Sequence, residues 1–196
     1  VLTFKGSDRS APGAYLQAAL HGGEYPGVAA IHFLVPMLEA AEKAGNIVGN
    51  ITIVPMANPI GSAQWLNSEP MGRFDFFSRT NFNRDHTALD DFDTTNLPVL
   101  NAPVTAAKRL KAELLRLALP HEIILDLHCD FESEQYMYIH AAFWPGMKDL
   151  ASAIGCKAVL TWDGNADLAF EESAARPALA SKSGLSRRAV TTIEFK

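Results

Sequence analysis

The sequence predicts an α/β fold, a sandwich of helices on a largely parallel or mixed sheet. Two observations carry this. Short apolar, β-branched runs alternate along the chain with segments of helical period, the pattern of strands joined by crossover helices. The 196 residues are also 48% hydrophobic and 20% charged, enough to build a full core and incompatible with disorder as the main state. No repeat, low-complexity stretch or clean linker divides them, so a single domain over residues 1–196 is expected.

In order, Ala14 to Leu20 reads as a buried strand. Pro26 to Ala44 reads as a helix, with Pro26 in the first turn, Gly45-Asn46 as the stop and Pro36 as an interruption. Ile51 to Val54 is a β-branched strand, and Asn58-Pro59-Ile60-Gly61 a turn. Residues 62 to 102 read as one long irregular connection, a length that is often functional. Val104 to Leu119 is a helix with apolar Ala106, Leu110, Leu114 and Leu117 at helical spacing. Strands follow at Glu122 to Leu127 and Tyr136 to Ile139, a short helix at Lys148 to Ile154, and a strand at Lys157 to Leu160. Ala174 to Ser183 is a helix stopped by Gly184, and Val190 to Phe195 is the last strand.

Seventeen Lys and Arg against 22 Asp and Glu give a net charge of −5, and no basic stripe suggests nucleic acid. No apolar run is long enough to span a bilayer, so no membrane association is expected. The two cysteines, Cys129 and Cys156, form no CxxC pair and read as free thiols in a reducing compartment, the cytoplasm.

The strongest local signal is His21-Gly22-Gly23-Glu24, between a strand end and a helix start. The glycines permit a turn tight enough for imidazole and carboxylate to converge on one metal ion. A glycine-rich turn with a helix-capping Glu fits the same residues. His128, in Asp126-Leu127-His128-Cys129, also ends a strand and could complete a His2Glu set with an open position for water; a solvent-facing histidine is the alternative. Asp126 shares the face of His128 and could support it from behind, while Cys129 alternates to the other face. The polar loop carries Arg73 and Asn81-Phe82-Asn83-Arg84, fit to hold a carboxylate or an oxyanion or simply to be solvated. Glu194 stands opposite Ile193 and Phe195 in the last strand, as an edge carboxylate or a buried general base. Neither a GxSxG elbow nor a phosphate-binding P-loop is present.

These residues occur in one order: His21-x-x-Glu24, Asn58-Pro59-Ile60-Gly61, Arg73, Asn81-x-Asn83-Arg84, Asp126-Leu127-His128 and Thr192-Ile193-Glu194. The ordered set resembles the zinc carboxypeptidase superfamily, most closely its succinylglutamate desuccinylase/aspartoacylase branch. The resemblance implies a three-layer α/β/α sandwich around a mixed, mostly parallel, eight-stranded sheet. It implies one zinc (Zn2+) per chain on His21, Glu24 and His128, and Glu194 as general base and then acid. Arg73 would stabilise the oxyanion, with Arg79 as a rival, and Asn83 and Arg84 would grip a carboxylate of a small anionic substrate. The activity implied is hydrolysis of the amide, or an ester, of an N-acyl amino acid. A metallocarboxypeptidase, a non-catalytic zinc or small-molecule binding module, and a Cys-His hydrolase using Cys129 are the rival readings; no partner spacing supports the last. A homo-oligomer is compatible with all of them. Relatives often carry a further C-terminal β-rich domain that helps close the site. It is absent after Phe195-Lys196, so the pocket is expected to be incomplete, and Val1 suggests an excised domain.

Overall fold

The computed structural model describes residues 1–164, 167–182 and 185–196. The elements are β1 (Leu2–Phe4), β2 (Ala14–Ala18), α1 (Pro26–Lys43), β3 (Ile51–Val54), α2 (Pro59–Ser62), β4 (Trp65–Leu66) and β5 (Glu69–Pro70). They continue with α3 (Ala106–Ala118), β6 (Ile123–Cys129), β7 (Tyr136–His140), α4 (Trp144–Ala153), β8 (Ala158–Trp162), α5 (Phe170–Ser181) and β9 (Ala189–Phe195). Among the described residues seven strands form the main sheet, in the order β1-β3-β2-β6-β9-β7-β8, where eight were expected; β4 and β5 pair separately. β3, β2, β6 and β9 run parallel, β1 and β7 pair antiparallel with β3 and β9, and β8 lies parallel to β7. The sheet is therefore mixed, as expected.

Helices cover both faces. Ala18, Ile53, Leu127 and Ile193 pack with Ile31 of α1 on one side. On the other, Tyr15, Ile124 and Val190 meet Ala112 and Leu115 of α3 and Ala174 and Ala178 of α5. Each large apolar side chain removed from water in this way contributes about 1.5–3 kcal/mol. α1 sits close to the sheet because Gly27 has no side chain: a Cβ there would lie 2.7 Å from Leu127 Cβ. That contact seats the β2–α1 turn over the end of β6.

Several local expectations are corrected. α1 runs through Pro36, which lies exposed on its solvent side and costs the helix one hydrogen bond without ending it. Asn58 is the N-cap of a one-turn helix rather than part of a plain turn, its side chain accepting the Gly61 N–H at 2.8 Å. α4 begins at Trp144, with Pro145 in its first turn, rather than at Lys148. α5 begins at Phe170, not Ala174, because Asn83 caps it from a distant loop, a tertiary contact invisible to local pattern. The expected stop at Ser183-Gly184 lies outside the described residues. Cys129 and Cys156 are free thiols. No helix among the described residues is long and apolar enough to cross a membrane.

Candidate metal centre

β2, β6 and β9 are parallel neighbours, so their carboxyl ends open at one edge of the sheet, where open α/β sheets place their sites. His21 follows β2, His128 is in the last turn of β6's pleat, and Glu194 is near the end of β9. Register then builds two rows on the α5 face. His128 pairs with Glu194 and Glu194 with Tyr136; one step deeper, Gln17 pairs with Asp126, Asp126 with Thr192, and Thr192 with Tyr138.

One ligand atom each from His21, Glu24 and His128 lies within 4.8 Å of the others. His21 Nδ1 is 2.8 Å from Glu24 Oε1, and His128 Nδ1 is 2.8 Å from Glu24 Oε2. The other ring nitrogens are committed. Asp126 Oδ2 lies 2.9 Å from His128 Nε2, and a carboxylate oxygen accepts, so Nε2 carries the proton. Asn81 Oδ1 lies 2.9 Å from His21 Nε2 and already accepts the Asn83 N–H at 2.8 Å, so this Nε2 donates too. Both imidazoles thus turn Nδ1 towards Glu24. Behind them the buried Gln17 amide donates to Asp126 Oδ1 at 2.9 Å, and the Tyr15 hydroxyl donates to Gln17 Oε1 at 2.8 Å.

The electrostatics follow from burial and these contacts. Burial acts to raise Glu24, but hydrogen bonds from His128 and His21 outweigh it and hold the carboxyl well below the usual range. Burial lowers His21. For His128 burial acts downward too, yet the Asp126 and Glu24 carboxylates turn the net shift well upward. Burial pushes Glu194 up to about 7, with Glu24 and Asp126 adding repulsion against the relief given by His128.

The three-loop approach depends on backbone contact without side chains. The Gly22 N–H donates to the Gly72 carbonyl at 2.9 Å. A Cβ on Gly22 would lie 2.2 Å from the Gly61 carbonyl carbon, and one on Gly72 would lie 2.7 Å from Gly22 Cα. The turn after β2, α2 and the long loop are stacked directly on one another.

The family profile for the succinylglutamate desuccinylase/aspartoacylase catalytic domain matches residues 10–185. The chain belongs to this family. No curated protein matches it. Among solved structures it resembles a succinylglutamate desuccinylase/aspartoacylase family protein of Shewanella amazonensis, at TM-score 0.80 and 27% identity over 99% of this chain and 60% of that one. A second such structure, from Shewanella frigidimarina, matches at TM-score 0.77 and 25% identity over 98% and 59%. This chain therefore spans about 60% of the length of these relatives. A carboxypeptidase A structure from Shewanella denitrificans shares the fold at TM-score 0.57 and 16% identity, over 98% of this chain and 50% of that one. The family domain has brought the predicted residues into one cavity of about 410 Å³, lined by His21, Glu24, Arg73, Asn83, Arg84, His128 and Glu194 among others.

Arg73 donates from Nη1 to Glu24 Oε1 at 3.1 Å, at the mouth of this cavity. Arg79 lines a neighbouring exposed hollow with Phe74 and Phe76 instead. The Asn83 side-chain carbonyl is spent on α5, accepting the Phe170 N–H at 2.7 Å, and leaves only its amide nitrogen to a ligand. Arg84 Nε lies 3.4 Å from Asp167. His86 is buried against Phe170 rather than in the cavity wall, and burial lowers it to about 3. Sequence reasoning passed over Asn81's own role, Gln17, Thr192's place in the deep row, and Glu171. Asn81 was visible within its motif; Glu171 was hidden by the late start assigned to its helix.

Proposed function

We propose that this chain is a zinc-dependent deacylase that hydrolyses the amide of an N-acyl amino acid or a similar small carboxylate-bearing molecule. The supporting observation is the convergence of His21 Nδ1, Glu24 and His128 Nδ1, each imidazole fixed through Nε2, with Glu194 lining the same cavity. Two imidazole nitrogens and a carboxylate within 4.8 Å of one another suit a zinc ion with an open position. Zinc, when bound, supplies Lewis acidity that polarises the scissile carbonyl and acidifies water.

Glu194 takes the proton of the attacking water on its carboxylate and returns it to the leaving amine. A carboxyl raised to about 7 is matched to both transfers near neutral pH. Arg73, beside Glu24, donates to the developing oxyanion. Arg84 and the Asn83 amide receive the substrate carboxylate and fix its orientation.

The test joins metal content to turnover. Protein purified without added metal should carry near one zinc per chain and cleave members of an N-acyl-amino-acid panel. Glu194→Gln should keep the zinc and the fold and lose about 10²–10⁴-fold in kcat. Near-normal turnover by that variant removes the general-base role. Release of C-terminal residues from peptides in preference to the panel overturns the deacylase assignment in favour of a carboxypeptidase.

A further inference from the structure

The part of the cavity wall formed by β7, β8 and α5 is built from different chemistry. Thr192 and Tyr138, paired in the deep row, lie beneath it; Trp162 of β8 and Glu171 and Glu172 of the first turn of α5 complete it. Glu172 has a local task, accepting the Ala169 N–H at 3.2 Å. Glu171 is only 8% exposed; its carboxyl has a local contact with its own backbone N–H, but its Oε2 has no hydrogen-bond partner. Thr192 is 3% exposed, and its hydroxyl is likewise without a partner.

Buried polar atoms are almost always satisfied, and a carboxylate oxygen left without a donor is costly. Both residues line the cavity, so a group that enters it beside them is one source of the missing partner. Glu171 Oε2 and Thr192 Oγ1 can each accept, whereas the Trp162 indole N–H, also without a partner, can only donate; for the carboxylate the missing partner is a donor, and charge says which kind. The two arginines lining the cavity lie beside other carboxylates, Arg73 by Glu24 and Arg84 by Asp167. Among the described residues no lysine or arginine pairs with Glu171, Glu172 or Glu194. An aromatic face beside unpaired carboxylates is the chemistry that receives an ammonium or guanidinium group.

We propose that this part of the cavity is a subsite for a cationic group, with Glu171 as its counter-ion, the Thr192 hydroxyl as a second acceptor and the Trp162 and Tyr138 rings as its flanks. In placing that cation on the side chain of an N-acyl amino acid, the proposal rests on the deacylase reading. The substrate class becomes N-acylated basic amino acids: the carboxylate faces Arg84 and the cation faces α5.

Zinc-loaded protein is assayed with N-acetyl-lysine, N-acetyl-ornithine, N-acetyl-norleucine, N-acetyl-6-hydroxynorleucine and N-acetyl-glutamate. A charge-assisted contact predicts kcat/KM about 10–100-fold higher for the better basic substrate than for norleucine, mostly through KM. Glu171→Gln should bring that ratio towards one, and Thr192→Val should lower it less. Separately, L-lysine should raise the Tm of metal-free protein where L-norleucine does not, and Glu171→Gln should abolish the difference. Equal use of the hydroxyl or norleucine analogue, or preference for the glutamate one, overturns the subsite. If no panel member is cleaved while lysine still protects, the deacylase reading fails and the subsite stands. If the panel is cleaved without basic preference, the reverse holds. The comparison within the parent protein decides the matter even if a variant does not fold.

Discussion

At the metal end of the cavity, both nitrogens of His21 and His128 and both oxygens of Glu24 and Asp126 have partners. At the α5 end, Glu171 Oε2, Thr192 Oγ1 and Trp162 Nε1 have none. The two ends share a face of one sheet and a similar depth of burial, so the difference is not one of solvent access. The imidazoles of the metal end are fixed from behind through Asn81, Asp126, Gln17 and Tyr15, and their Nδ1 atoms face Glu24. The α5 end leaves its atoms without a protein partner. On the reading proposed above, the first region serves reaction and the second recognition.

The comparison is broken most severely at His128. His128→Ala should take zinc from near one per chain to near none and abolish turnover; retained zinc by elemental analysis would show that the set does not act as one centre. The support behind it is tested by Asp126→Asn and Asn81→Ala, each expected to weaken zinc binding about 10–100-fold in chelator competition. Unchanged affinity would mean that the imidazoles need no fixing. Arg84→Ala should raise KM about tenfold for carboxylate-bearing substrates, and a matching rise for their amides would argue against a carboxylate grip.

The smallest effect sharpens the α5 end. Burial, with Asp126 adding repulsion, pushes Glu171 up to about 7. A carboxyl raised on folding favours its neutral form. Its contribution to stability is full below about 4.5 and is lost as pH rises through about 7, at most about 3 kcal/mol. In chelator, Glu171→Gln should therefore flatten the fall in Tm between pH 5 and 8 by a few degrees. A parallel fall in parent and variant would show that Glu171 does not contribute to the slope.

The metal end could be read in the sequence because two candidate ligands and the candidate base lie at or just after strand ends. His21, His128 and Glu194 follow apolar runs, and alternation gives the face of the last two. Strand order was not readable, yet parallel pairing of β2, β6 and β9 is what turns three strand ends into one site. The α5 end was unreadable for a related reason. Glu171 acquires its place only because Asn83, from a loop far away in sequence, caps the helix four residues earlier than helical pattern suggests. Gln17 gave no signal either, being a polar residue in an apolar strand whose partners, Tyr15 and Asp126, are set by packing. The turn at Asn58 is a finer error, since its side chain caps Gly61 within the same segment and winds it into one helical turn.

The glycine stack at Gly22, Gly61 and Gly72 gives the centre a built-in clock. The Gly22 amide hydrogen points at the Gly72 carbonyl and can trade with deuterium only when the long loop lifts away. The lifting separates Asn81 from His21 as well. The exchange rate of that one amide therefore reports how often Asn81 leaves His21, and metal loading should slow it in proportion to occupancy.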